Sequence, residues 1–179
     1  MKTIRSRTAA VMAVSIMLLL VVLTTAWAVL SKGTKSPDFR LKSIDGRTLS
    51  LSQIRKDPAK PGAYRVVILD FWATWCGPCR EELPGFQKLH EKYGKKGLAM
   101  VGVAVDKGGV SDVKPFVKEN KLTYTILVDP RGTVKNRYGV RFLPTTYIID
   151  KSGVIRAVHV GPMPGIEDTL ENEVKSLLK

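Results

Sequence analysis

The chain has 179 residues, of which 29 are basic and 16 acidic, and it carries a formal net charge of +13. This length accommodates one domain with an appendage. The lysines are spread along the chain with no basic run interleaved with aromatic residues, which argues against nucleic-acid binding and favours a solvated basic surface near anionic lipid headgroups.

The first predicted element is the apolar stretch 9–30, whose 22 residues include no charged side chain. As a helix it would be about 33 Å long, which is enough to cross the core of a bilayer. Three basic residues precede it, so we expect residues 1–30 to be a single-pass signal anchor and the remainder to face the outside of the cell membrane, in the periplasm or on the outer face. Residues 26–28 resemble a cleavage site, which leaves a secreted protein open. No cysteine follows the stretch for lipid attachment.

The polar residues 31–36 predict a linker to a domain that spans 37–179. Two short apolar stretches, 39–41 and 48–51, flank an Asp-Gly pair at 45–46, and this pattern predicts a β-hairpin.

Strands and helices then alternate along the chain. They are predicted as a brief helix capped by Ser52, a buried strand at 65–72, a helix ending at Gly94, a strand at 98–105, a helix capped by Ser111 that ends near 119, a strand at 123–128, a helix at 133–138, a hairpin of strands 145–150 and 154–159, and a helix at 166–178. This order predicts an α/β fold with a mixed sheet that is covered on both faces.

The two cysteines of the chain form the motif Cys76-Gly77-Pro78-Cys79, which directly follows the strand 65–72 and opens a helix. That layout is typical of a dithiol redox site. Unpaired N–H groups and the helix dipole at the helix N-terminus favour the thiolate, which is the nucleophile in disulfide exchange. The second cysteine lies three residues on, on the same face. A purely structural disulfide here would close a very small loop and constrain little of the unfolded chain. A zinc site usually needs four ligands, and the sequence has no second Cys-x-x-Cys motif or clustered histidine pair to complete one.

Two acidic residues are candidates for accepting a proton from Cys79. Asp70 lies within the apolar strand, where a buried carboxylate is costly unless it is neutral or partnered. Glu82 lies three residues after Cys79 on the same helical face; the alternative is an exposed position like that expected for Glu81. If both acids are buried, their charges repel and one proton is shared.

The chain from Pro37 onward resembles the membrane-anchored thioredoxin-like proteins of the TlpA/ResA/CcmG type. The matching motifs are Ser36-Pro37-Asp38-Phe39, the Asp45-Gly46 hairpin, Phe71-Trp72-Ala73-Thr74-Trp75-Cys76-Gly77-Pro78-Cys79, Glu82-Leu83-Pro84 and Leu143-Pro144-Thr145-Thr146. The resemblance implies a thioredoxin fold with an N-terminal β-hairpin and a central αβ insertion, behind one transmembrane helix.

The resemblance also implies the roles of individual residues. Cys76 would be the attacking thiol, exposed beside Trp75, and Cys79 the buried resolving thiol. Pro144 matches the cis-proline of the family, and a cis bond there would leave the backbone of Leu143 free to pair with an extended substrate. The expected substrate-binding residues are Trp75, Gly77, Pro78, Leu143, Pro144 and Thr145.

The two candidate acids match different branches of the family. Asp70 matches the buried aspartate of cytosolic thioredoxins, at a position where many TlpA/ResA-type proteins carry asparagine. Glu82 matches the buried glutamate of the ResA-like branch. Which of the two accepts the proton from Cys79 is left open by the sequence.

The expected activity is that of a thiol:disulfide oxidoreductase with a redox-active disulfide as its only cofactor and no metal. The Gly-Pro dipeptide between the cysteines is that of thioredoxin, which predicts a reductant. The resemblance implies protein disulfides as substrates, apocytochrome c among them, and a membrane electron donor of the thiol-transferring type. The alternatives are a general extracytoplasmic disulfide reductase and a copper- or haem-handling binding protein. A peroxiredoxin is disfavoured because its P-x-x-x-T/S-x-x-C setting is absent.

Overall fold

The computed structural model describes residues 29–56 and 65–179. All but the last two residues of the predicted anchor, together with its predicted cleavage site, lie outside this part of the chain. Among the helices within the two described ranges, none is long and apolar enough to cross a membrane.

A mixed sheet of seven strands forms the centre of the domain. The strands are β1 (Arg40–Ser43), β2 (Thr48–Ser50), β3 (Val66–Trp72), β4 (Leu98–Ala104), β5 (Thr125–Val128), β6 (Thr145–Asp150) and β7 (Ile155–Val160). Their order in the sheet is β2-β1-β5-β4-β3-β6-β7. β3 pairs in parallel with β4 and antiparallel with β6, and all seven of its residues are buried. The strand that leads to the two cysteines is therefore held on both sides and covered on both faces.

Five α-helices and a 3-10 turn at Gly94–Lys96 complete the described part of the domain. The helices are α1 (Leu51–Arg55), α2 (Gly77–Tyr93), α3 (Val110–Glu119), α4 (Thr133–Arg137) and α5 (Ile166–Leu178). Helices α2, α3 and α5 pack on one face of the sheet with alternate residues of β3, and α1 and α4 pack on the other. The predicted α/β fold with a doubly covered mixed sheet is confirmed.

The predicted strands and helices are present, with bounds that differ by up to two residues. The hairpin of β1 and β2 pairs around Asp45-Gly46 as expected. The helix and strand that the resemblance attributes to an insertion are present as α3 and β5, and β5 lies between β1 and β4.

Both predicted helix caps were wrong. The N-cap of α1 is Ser50, whose hydroxyl accepts the N–H of Gln53 at 3.1 Å, whereas the Ser52 hydroxyl donates to the Asp38 carboxylate at 2.8 Å. The N-cap of α3 is Gly109, which has a positive φ of 62°. Ser111 lies inside that helix, because the left-handed turn that begins it falls two residues earlier.

The segment 31–36, predicted as a linker, is attached to the last hairpin. The N–H of Gly33 donates to the carbonyl of Ile155 at 2.8 Å, and the N–H of Ile155 donates to the carbonyl of Thr34 at 2.9 Å. Ser36 is buried and bonds to the Gly153 carbonyl through both its N–H and its hydroxyl. This segment therefore packs as part of the domain.

Candidate active site

The two cysteines are joined by a disulfide bond, with an S–S distance of 2.04 Å and a Cα–Cα distance of 5.3 Å. Cys76 is the N-cap of α2, and its Sγ accepts a hydrogen bond from the N–H of Cys79 at 3.3 Å. The end of β3 and the start of α2 thus place the first sulfur where backbone N–H groups and the helix dipole favour a negative charge. The chemistry available at this position is thiolate attack on a disulfide.

Little of the disulfide is exposed to solvent. Cys76 is 6% exposed and Cys79 1%, whereas the neighbouring Trp75 is 69% exposed. The expectation of an exposed Cys76 was wrong, because this residue is buried, although it is the more accessible of the pair. Gly77 and Pro78 are both exposed, so a partner reaches the first sulfur across these two residues and the indole of Trp75.

The loop between β3 and α2 is held by an acid that the sequence analysis missed. Asp106 is buried, and its carboxylate accepts the N–H of Thr74 at 3.2 Å and also the hydroxyl of the same residue. Because β4 runs parallel to β3, both strands end at the same edge of the sheet, and a residue just past β4 reaches the loop before Cys76. An acid placed directly after the strand 98–105 was the available signal.

The loop before β6 contains the predicted cis-proline. The Leu143–Pro144 peptide bond is cis, and Pro144 is buried with its carbonyl accepting the N–H of Gly161 at 2.8 Å. Within the described ranges no hydrogen bond engages the backbone of Leu143. Since β3 pairs with β6 as far as Thr145, this loop lies at the same edge of the sheet as the loop that carries the cysteines.

The structure changes the expected substrate surface at two positions of this loop. Thr145, expected there, is fully buried, and its hydroxyl donates to the Phe142 carbonyl at 2.8 Å. Its side chain therefore shapes the loop and does not meet a substrate. Phe142, which the sequence analysis missed, is 66% exposed beside Leu143. Together with Trp75 it is one of three large apolar side chains exposed in the described part of the chain.

Asp70 is buried in the middle of β3 and has one hydrogen-bond partner. Its Oδ1 accepts the Thr146 hydroxyl at 3.0 Å, and its Oδ2 has no partner. Burial raises the pKa of Asp70 to about 8, against the lowering effect of Thr146. Two further polar groups, the Trp72 indole N–H and the Tyr124 hydroxyl, are buried on the same face without partners. Gly102 pairs with Asp70 in the neighbouring strand, and a Cβ at Gly102 would come within 2.8 Å of the indole nitrogen.

Glu82 is also buried, with 7% of its surface exposed. Its Oε1 accepts the N–H of Met163 at 3.3 Å, and its Oε2 has no partner. Burial raises the pKa of Glu82 to about 7, and the charge of Glu167 acts in the same direction. Glu81 is exposed. The two adjacent acids of α2 are thus in opposite settings, as the sequence analysis expected.

Glu82 affects the ionisation of Asp70. The negative charge of Glu82 is a further cause of the raised pKa of Asp70, after burial. Asp70 and Glu82 lie on the face of the sheet that α2 covers, and Glu82 follows Cys79 by one helical turn. The protonation states of both carboxyl groups therefore change within about one pH unit of neutrality.

The described part of the chain offers no set of ligands for a metal centre. Among the described ranges, no group of three or more His, Cys, Asp or Glu side chains is arranged to hold a metal ion.

Substituting Asp70→Asn should stabilise the oxidised protein increasingly as pH rises from about 4 to about 8. In this range the unfolded state has lost the Asp70 proton while the folded state keeps it, so the free energy of unfolding of the wild type falls with pH. At pH 8 the variant should be more stable by on the order of 5 kcal/mol, because each pKa unit of the shift from 3.8 to about 8 corresponds to about 1.4 kcal/mol. Urea unfolding at several pH values measures this, and the exposed Glu81→Gln is the control. A constant difference between variant and wild type across the range would contradict the buried, protonated state of Asp70.

Comparisons with known proteins agree with this geometry. Residues 32–158 match the AhpC/TSA family. The thioredoxin-like protein YneN of Bacillus subtilis (strain 168) is 40% identical over 75% of this chain and 74% of its own length. The thiol-disulfide oxidoreductase ResA of Geobacillus thermodenitrificans (strain NG80-2) is 36% identical over 73% of this chain and 70% of its own.

Solved structures show the same architecture. A Chlorobium tepidum structure described as a thiol:disulfide interchange protein of the DsbE kind superposes with a TM-score of 0.74 at 35% identity, covering 84% of this chain and 99% of that one. StoA of Bacillus subtilis superposes with a TM-score of 0.58 at 28% identity, covering 74% and 96%. The chain therefore belongs to the AhpC/TSA family, within which it is a thioredoxin-like thiol:disulfide oxidoreductase of the ResA, DsbE and StoA type.

Proposed function

We propose that the protein is a membrane-anchored, extracytoplasmic reductant of protein disulfides and that apocytochrome c is among its substrates. The observation that carries the proposal is the Cys76–Cys79 pair at the start of α2 with two buried carboxyl groups on the same face. The anchor rests on the apolar stretch 9–30, and the apocytochrome on the resemblance to the TlpA/ResA/CcmG type.

The first step is attack by the Cys76 thiolate on one sulfur of the substrate disulfide. A bond forms between Cys76 Sγ and that sulfur, and the other substrate sulfur leaves as a thiolate. The N–H of Cys79, which donates to Cys76 Sγ in the disulfide form, stabilises the attacking thiolate in the reduced form. An extended substrate segment would pair with the free backbone of Leu143, as in strand addition.

The second step is attack by Cys79 on Cys76 Sγ, which releases the second substrate sulfur as a thiolate. Two electrons have then passed from the enzyme dithiol to the substrate, and the enzyme holds the Cys76–Cys79 disulfide. Cys79 is 1% exposed, so its proton leaves through protein groups. We infer that Glu82 and Asp70 accept it when they are ionised, a fraction that grows as pH passes about 7 for Glu82 and about 8 for Asp70. A thiol-transferring donor in the membrane would reduce the disulfide again.

Glu82→Gln should slow this second step roughly tenfold near neutral pH because it removes a proton acceptor. The wild-type rate should rise as pH passes about 7, where Glu82 loses its proton, and the variant should lose that rise. Stopped-flow tryptophan fluorescence on oxidation by a peptide disulfide reports the rate. Asp70→Asn should also slow the step, whereas Glu81→Gln, on the same helix but exposed, should not. Unchanged rates in both buried-acid variants would remove the proton-acceptor role.

The reduction potential of the Cys76–Cys79 couple should lie nearer the roughly −270 mV of thioredoxin than the roughly −120 mV of the oxidant DsbA, because the intervening dipeptide is that of thioredoxin. Equilibration with glutathione buffers, read by alkylation of free thiols, measures it. A potential near the oxidant end of that scale would overturn the proposed direction of electron flow while leaving the exchange activity in place.

The substrate should be captured by Cys79→Ser, since removing the resolving thiol leaves the mixed disulfide on Cys76. Purification of this variant from the native membrane, followed by mass spectrometry, should identify an apocytochrome c or a protein of its maturation. The double variant Cys76→Ser/Cys79→Ser should capture nothing. Recovery of a broad set of exported proteins would favour the general disulfide reductase instead.

A further inference from the structure

A cavity of about 510 Å³ lies where β4 and β5 end, and basic side chains surround it. The cations that line it are Arg40 and Lys42 from β1, Lys107 after β4, Arg131 after β5, and Arg137 from α4. All five side chains belong to exposed residues. They come from separate elements that the topology of the sheet brings to one place.

Five basic residues line the cavity, against one acidic residue, Asp129. Asp129 lines the cavity, but it is buried, and its carboxylate accepts three backbone N–H groups at the start of α4 at 2.8 to 2.9 Å. Asp112, in the first turn of α3, accepts the N–H of Gly108 at 3.1 Å. These hydrogen bonds fix the two carboxylates without removing their charge, and the basic residues that line the cavity still outnumber Asp129 by five to one.

Within the described part of the chain, the basic groups of the cavity form no salt bridge; the ion pairs there involve other residues. Arg137 donates to the backbone carbonyl of Asp38 at 2.7 Å, which orients it without neutralising it. A concave site with several unneutralised cations from different elements attracts anionic groups.

The cavity and the disulfide lie at the same edge of the sheet. Strands β3, β4 and β5 are parallel, so their carboxyl ends lie together. Asp106, which holds the loop before Cys76, directly precedes Lys107 in the chain. β3 and β5 are two strand spacings apart, which is roughly 10 Å. With the loops included, an extended substrate would need about three to five residues to span this distance.

We propose that this cavity is a docking subsite for a carboxylate-rich segment of the protein substrate, three to five residues from the disulfide that Cys76 attacks. The inference rests on the proposed function and adds to it a criterion by which the protein would distinguish among substrates. An extended substrate that pairs beside Leu143 and crosses the loop of Cys76 continues toward Lys107 and Arg131. A flat anionic membrane seated on this cavity would also cover the edge of the sheet where the disulfide must be reached, so a polypeptide is the better fit.

The test uses two synthetic peptides, each with one cysteine in a disulfide with a coloured thiol. One peptide has three Glu residues on either side, three to five positions from the cysteine, and the other has Gln at those positions. The reduced full-length protein should release the colour about tenfold faster from the Glu peptide at low salt. Lys107→Gln/Arg131→Gln should reduce that preference to less than about twofold and leave the rate with the Gln peptide unchanged.

The matched control is Lys95→Gln/Lys151→Gln, which removes the same charge from exposed lysines at the opposite edge of the sheet. It should keep the preference of the wild type. Equal loss of preference in both double variants would attribute the effect to net charge and overturn the docking subsite. Retention of the preference in Lys107→Gln/Arg131→Gln would overturn it as well.

A binding measurement separates this inference from the proposed function. Fluorescence anisotropy with labelled, cysteine-free versions of the two peptides reports docking without disulfide exchange. Tight binding of the Glu peptide with no colour released from either disulfide peptide would refute the reductase and keep the subsite. If the cavity variant instead lost binding only to phosphatidylcholine vesicles containing phosphatidylglycerol, and not to the Glu peptide, the site would be a membrane contact and the proposal would fail.

Discussion

The active site depends on the position of β3 within the sheet. This strand is buried on both faces and paired along both sides, so its end at Trp72 is fixed. Helix α2 begins five residues later, at Gly77, and the hydrogen bonds from Thr74 to Asp106 hold the intervening loop. Cys76 can therefore only be the N-cap of the helix. The preference of that sulfur for the thiolate form follows from its place between the end of a strand and the start of a helix.

The same strand contains the group whose burial is the main energetic cost of the site, the carboxyl group of Asp70. A carboxyl group in the centre of a fully buried strand is kept protonated by its surroundings, and Asp70 has only the Thr146 hydroxyl as a partner. Glu82, a second carboxyl group on the covered face, makes ionisation of Asp70 still harder. Such groups reduce stability at neutral pH, but carboxyl groups whose pKa is raised to about 7 or 8 are of the kind that exchange a proton with a thiol.

Much of this site is visible in the sequence, because the deciding signals are local. The spacing of Cys76 and Cys79 and the apolar run of β3 follow from short-range pattern. The burial of Glu82 was implied by the family resemblance, since the pattern alone left an exposed position open. The errors have tertiary causes. Thr145 turns inward because the loop before β6 needs a donor for the Phe142 carbonyl, and Gly109 supplies a backbone conformation that the predicted cap Ser111 would not.

The segment that ties Gly33 and Thr34 to Ile155 has a further effect on the sheet. β7 is the last strand on its side, and the outer N–H and carbonyl groups of an unprotected terminal strand invite pairing with a second chain. Here the N–H of Ile155 is already hydrogen-bonded to Thr34 and its carbonyl to Gly33, in the segment that leads into the domain. The entering segment thus covers the first residue of this outer strand, while the strand at the opposite margin, β2, is only three residues long.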